Sequence, residues 1–260
     1  MIRPLRLMLA AALALVVQAT PTPTLAAGPF EDWAAVVVAG DWHAHSGGPS
    51  EAFDNARRDV SRALTGMGFS PANVRQFSVR PERYRDTRPL KSDPKAIYEA
   101  LNEVAGRATG GCLVYFSSHG APQGVVVDQN LLAPALLGAI LDRTCANRPT
   151  IVVISACFSG VFIPELARPN RMILTAARPD RTSFGCGESD KYPYFDDCFL
   201  QSAGAAHDFP ELATLAQACV AARELKEGMQ PPSEPQVWIG AALRPMLPLY
   251  TFELHTAASR

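Results

Sequence analysis

Two short stretches carry side chains capable of nucleophilic chemistry to the ends of apolar runs. In IVVISACFSG, residues 151–160, a β-branched run opens through Ser155 and Ala156 onto Cys157 and a turn of small residues. In GCLVYFSSHG, residues 111–120, a second run ends in Ser117, Ser118, His119 and Gly120. A free thiol is mostly protonated at neutral pH, and a neighbouring imidazole can ionise it or carry protons to a leaving group. A lone cysteine is by default a small core hydrophobe, since free cysteine is among the most buried residue types. A cysteine and a histidine that both leave strand ends among small neighbours point instead to catalysis. Gly120 and Gly160 let the backbone approach a ligand closely. The N–H groups of Gly120 and Cys157 could line an oxyanion hole, a contribution of several kcal/mol where such holes have been tested.

These residues need a scaffold, and the chain reads as alternating strands and helices. Apolar, β-branched runs predict strands near 33–40, 73–79, 111–116, 151–157, 171–176 and 236–240. Helices are predicted from the Ser50-Glu51 cap, from Asp93-Pro94, over 134–145, and over 210–227, where Gly228 stops the last one. On the first of these, Phe53, Ala56, Val60, Leu64 and Met67 share an apolar face with Arg57, Arg58 and Arg62 elsewhere; Arg57 and Arg58 could select an acidic substrate, but a solvated surface is their default reading. The expected fold is α/β: a mostly parallel six-stranded sheet with helices on both faces, as one domain over residues 30–245 and a tail over 246–260. One helical crossover joins the two reactive strands, so right-handed connection makes them parallel neighbours, about 4.8 Å apart. Ligands of such sheets sit at the carboxyl ends of the strands, where His119 and Cys157 would face one another.

Composition removes several alternatives. The 260 residues carry a formal net charge of −1 with no Lys/Arg-dense stripe, so no nucleic-acid partner is expected. Residues 1–6 are basic and residues 7–17 apolar, with small residues offering cleavage after Ala19 or Ala26. Residues 1–26 therefore read as a signal peptide, too short in its apolar part for the roughly 20 residues of a membrane span. A secreted or periplasmic location follows, with no membrane span after signal removal. Export permits disulfides among Cys112, Cys145, Cys186, Cys198 and Cys219, with Cys186–Cys198 the first guess and at least one cysteine left over. Asp41-Trp42-His43-Ala44-His45 contains an HxH pair without a third ligand at suggestive spacing, so no metal and no cofactor is expected. Arg178, Asp180 and Arg181 form either an ion-paired loop or a site for a substrate carboxylate. His207 and His255 have no motif around them.

An apolar strand ending in His-Gly, followed by one ending in Ala-Cys-x-Ser-Gly, resembles the C13 (legumain-like) cysteine peptidases of the caspase-fold clan. TAARPDRTSFGC at 175–186 and YPYFDDCF at 192–199 are similar to further segments of that family, and the likeness runs from about residue 33 to 240. The resemblance implies a caspase-like α/β/α sandwich acting as a cysteine endopeptidase on protein or peptide substrates. It implies Cys157 as nucleophile, His119 as general acid/base, and the backbone of Gly120 and Cys157 as oxyanion hole. It also implies that Ser183 and Asp197, with Ser155 before the Ala-Cys pair, line the pocket for the residue preceding the scissile bond. Two positions depart from the family pattern: Ser155 replaces a Glu, and Ala52-Phe53 falls where an Arg-His pair is usual. A silent binding module and a transpeptidase or ligase using the same thioester are the alternative readings.

Overall fold

The computed structural model describes residues 28–253. The signal peptide expected over 1–26, and His255, lie outside the described residues. In chain order the elements are β1 (Trp33–Ala39), α1 (Ala52–Gly66), β2 (Val74–Ser78), β3 (Leu90–Lys91), α2 (Pro94–Arg107) and β4 (Gly111–Ser117). There follow β5 (Gly120–Ala121), β6 (Gly124–Val127), β7 (Asn130–Leu132), α3 (Pro134–Thr144), β8 (Thr150–Ser155), α4 (Phe162–Leu166) and β9 (Arg171–Thr175). The last are α5 (Tyr194–Ala203), α6 (Phe209–Glu227) and β10 (Gln236–Ile239).

The main sheet has seven strands in the order β10-β9-β8-β4-β1-β2-β3, all parallel except β10. Strands β1, β4 and β8 are buried at every residue, because helices cover both faces; their middles are largely apolar, and Thr150, Ser117 and Ser155 bring hydroxyls at strand ends. Alternate residues feed two cores. Leu113 and Tyr115 of β4, with Ile151 and Val153 of β8, meet Val60 and Leu64 of α1, Phe195 and Phe199 of α5, and Phe209 and Leu212 of α6. Val114, Phe116, Val152 and Ile154 face the opposite way, onto Ile97, Leu101, Leu137, Leu141 and Phe162 of α2, α3 and α4. The period of two along each strand thus becomes an α/β/α sandwich. Helix starts follow local chemistry: Asp93 Oδ1 accepts from the N–H groups of Lys95 (3.0 Å) and Ala96 (2.9 Å) beside Pro94. Gly228, at φ 68°, closes α6 in the left-handed conformation.

The structure differs from or adds to these expectations at several points. The sheet gains a seventh strand, β3, whose two exposed residues form an edge with no apolar run to announce it. A separate three-stranded sheet, β5-β6-β7, follows the histidine strand directly. Arg57 is not solvated but fully buried. Its Nε donates to Asp54 (3.0 Å), one helical turn away, and Nη1 to Gln76 Oε1 (2.5 Å) and Thr87 Oγ1 (3.2 Å), under the ring of Tyr84. The disulfides join Cys112 to Cys145 and Cys198 to Cys219, leaving Cys157 and Cys186 free. Cys198 faces α6 rather than the 182–187 loop, because α5 and α6 pack side by side. Beyond residue 245 the chain still packs: Leu247 and Phe252 are buried, with Phe252 against Phe209 and Phe30.

Candidate active site

The strands β4 and β8 are paired through Ser117 and Ser155, and Ser118 N–H donates to the Ser155 carbonyl at 3.1 Å. His119 and Cys157 each lie two residues past that last pair. Both line one cavity of about 350 Å³ at the carboxyl edge, together with His45, Ser183, Cys186 and Asp190. A larger apolar groove between α2 and α3, of about 530 Å³, is walled by Tyr98, Leu136 and Ile140 and holds neither cysteine nor histidine. Convergent reactive groups, not volume, single out the first.

The histidine is oriented from two sides. Its Nε2 lies 3.0 Å from the His43 carbonyl oxygen, which can only accept, so Nε2 carries the proton and Nδ1 keeps the lone pair of the neutral ring. Phe53, at the position where the family resemblance has His, sets its ring edge-on to that imidazole at 5.0 Å. The His43 loop is pinned in turn by Asp41 Oδ1, which accepts from His43 Nδ1 (2.7 Å) and from the backbone of Trp42 (2.6 Å). His43 and His45 are therefore split between a turn and the cavity wall. Among the described residues no three His, Cys, Asp or Glu side chains gather as a metal site.

The cysteine sits at a sharp exit from β8. Phe158 adopts φ 57°, rare for a bulky residue, and its N–H is held by the Arg181 carbonyl at 2.8 Å. Cys157 Sγ accepts from Ser183 N–H at 3.3 Å and lies 3.6 Å from Ser183 Oγ. Val126 N–H donates to the His119 carbonyl (2.9 Å), which makes Gly120 and Val125 a non-hydrogen-bonded pair and leaves Gly120 N–H unused by β6. Gly120 must be small, because a Cβ there would fall on the Cys157 carbonyl oxygen and 2.9 Å from Ala156 Cβ. Gly160 is held as closely, since a Cβ would meet Pro179 Cδ at 2.5 Å.

Other candidate residues have different partners. Ser183 is on the cavity wall. Ser155 is buried and donates to Asp196 Oδ2 at 2.6 Å, and Asp197 lies on the flank of α5, where Arg223 Nη1 donates to it at 2.8 Å. Neither lines the cavity, since β8 turns Ser155 inward and α5 turns Asp197 toward α6. Arg178 and Arg181 pair with Asp180, and Arg178 also with Glu234 (3.1 Å). Asp190 and Asp196 have no place among the residues expected from sequence. Asp190, whose Oδ2 accepts from Gly187 N–H (2.7 Å), has no motif to mark it. Asp196 has a signal in the two inward-facing serines, which need a buried partner.

Cys186 has its thiol pushed up to about 11, first by burial and then by the charge of Cys157. At pH 8 it therefore stays protonated. Alkylation of Cys186 by iodoacetamide should accelerate about tenfold for each pH step between 8 and 10, as its thiolate fraction grows. Peptide mapping of the parent protein reads this, and a flat rate would contradict the effect of burial.

A mostly parallel sheet with helices on both faces makes a caspase-like fold, and a thiol and an imidazole share one cavity at its carboxyl edge. The sequence profile of the Peptidase C13 family matches residues 83–230, and the chain belongs to that family. Among solved structures, caspase-1 from Spodoptera frugiperda is similar with a TM-score of 0.57, covering 85% of this chain and 94% of that one. At 16% identity that likeness is one of fold. A comparison with curated proteins found no match.

Proposed function

We propose that this protein is a cysteine endopeptidase in which Cys157 attacks the peptide carbonyl and His119 moves the protons. The observation that carries the reading is the shared cavity of the two side chains, with His119 Nδ1 left as free base by the His43 contact. In the first half-reaction Nδ1 takes the thiol proton and sulfur bonds to the carbonyl carbon. The oxyanion is held by the N–H groups of Gly120 and Cys157. Collapse breaks the C–N bond as the imidazolium protonates the leaving amine, giving a thioester. Water, deprotonated by the same nitrogen, then releases the carboxylate and restores the thiol. Ser183 borders both the sulfur and the space for the substrate side chain. Two disulfides and the basic-apolar N-terminus support export to a secreted or periplasmic location.

The test is covalent. A peptidyl acyloxymethyl ketone should alkylate Cys157, as read by mass spectrometry, and His119→Ala should slow that reaction by roughly 10²–10⁴-fold. A denatured proteome digest should show cleavages that vanish in Cys157→Ala. An unlabelled Cys157, together with no cleavage by the parent, would overturn the enzymatic reading in favour of a binding module.

A further inference from the structure

We propose that Asp196 is the positioning residue of this site: its sealed carboxylate ties together the ends of the two strands that carry His119 and Cys157. The inference rests on the peptidase reading and adds to it a residue that touches neither substrate nor dyad. Asp196 lies in the first turn of α5 with no exposed surface. One oxygen, Oδ2, accepts from Ser155 Oγ at 2.6 Å and from Ser117 Oγ at 3.0 Å. The other, Oδ1, accepts from the Tyr115 hydroxyl at 2.6 Å. Ser117 and Ser155 are register partners on adjacent strands, so a single oxygen bridges them at the last rung before the backbone departs to the dyad.

Stability alone does not explain this arrangement. A buried carboxylate with no cation beside it is costly, and apolar residues of similar volume commonly serve a core better. Three hydroxyls from two strands instead give it a fixed geometry, in the way that a fully satisfied buried network specifies one arrangement. Of the groups facing it, only Tyr115 titrates, and Phe199 packs edge-on against that ring at 5.0 Å. Burial raises Asp196 to about 7, and the three hydroxyl donors oppose that rise. When the carboxyl takes up a proton it becomes a donor itself, so one of the three hydroxyls must turn to accept. The tie then changes within the pH range where a thiol–imidazole pair works.

The experiment compares parent, Asp196→Asn, Ser117→Ala and Ser155→Ala from pH 5.5 to 8.5. The expected result for Asp196→Asn is a loss in kcat of tenfold or more at unchanged KM, with the acid limb of the kcat profile displaced. Ser155→Ala and Ser117→Ala, which remove one donor each without removing the charge, should lower kcat at constant KM. These two decide the matter if Asp196→Asn does not fold. An unchanged kcat and pH profile in the folded variants would overturn the proposal. A parent that ignores both ketone and peptide would count against the peptidase reading, not this one. In that case the readout is the ¹³C-labelled imidazole of His119 by NMR: a shifted His119 resonance and titration in Asp196→Asn supports the tie, and an unmoved one refutes it.

Discussion

Gly120→Ala should lower peptide turnover by about 100-fold, the order of loss that follows a displacement near 1 Å in a catalytic constellation. The added methyl would fall on the Cys157 carbonyl oxygen and 2.9 Å from Ala156 Cβ. Neither obstacle is the tip of a flexible side chain, so the relief must come from the strand ends themselves. Any relief moves the Gly120 N–H, His119 or the Cys157 loop, each of which has an assigned part in the reaction. Overpacking of this kind also costs roughly 1–3 kcal/mol of stability. A control separates the two effects. Gly66 ends α1, and a Cβ there meets nothing within 4 Å. Gly66→Ala should keep full turnover and gain up to about 1 kcal/mol. Kinetics with thermal melting of both variants checks this, and a fully active Gly120→Ala would mean that the close approach of the two strand ends does not matter to turnover.

The second large effect is on stability against pH. Asp196 is raised from 3.8 to about 7 chiefly by burial. Between those values the folded chain holds a proton that the unfolded chain has released. Stability from this group is therefore present at acid pH and is lost as pH rises through the window, with no further change above about 7. Each tenfold difference in proton affinity between the folded and unfolded chain is worth about 1.4 kcal/mol, so the loss across the window is on the order of 4 kcal/mol, taken as an upper bound. Asp196→Asn lacks the titration. Urea unfolding from pH 4.5 to 7.5 should show the parent losing stability relative to that variant as pH rises. Asp59 and Asp142 act in the opposite sense but below the window, because Arg58 with Tyr192, and Arg168 with Arg171, hold their carboxyls under 3.8 against the opposing effect of burial. Parallel curves for parent and variant would mean that Asp196 carries no such titration.

Much of the scaffold is legible in the sequence because central parallel strands are covered on both sides and run apolar on both faces between their ends. WAAVVVA and TIVVIS announce themselves in that way, and Asp93-Pro94 announces its helix through cap chemistry. What stays hidden depends on contacts far apart in the chain. Leu90–Lys91 is a strand only because Phe77 and Ser78 offer it an edge. Cys198 finds Cys219 because α5 lies beside α6, which no spacing encodes. Arg57 reads as surface by helical period, yet Asp54 and Gln76 give it a buried berth. At the site, the nucleophile and base stand out as reactive residues after apolar runs. Asp196 does not, because its neighbour Asp197 matches a familiar motif while the serines at 117 and 155 become a pair only when their strands align.

The two covalent bridges lie on opposite sides of the sheet, one at β4 and α3, the other between α5 and α6. Three of their four cysteines, Cys112, Cys145 and Cys198, are fully buried, whereas Cys157 borders an open cavity. Thiol–disulfide exchange proceeds by direct attack on sulfur, so a dissolved reductant meets the Cys112–Cys145 bridge only after local opening, whereas half-buried Cys219 leaves the second bridge within its reach. Folding thereby sorts six identical side chains into kinetic classes: four sulfurs spent in bridges, Cys157 open to reagents, and Cys186 held back by burial as a protonated thiol.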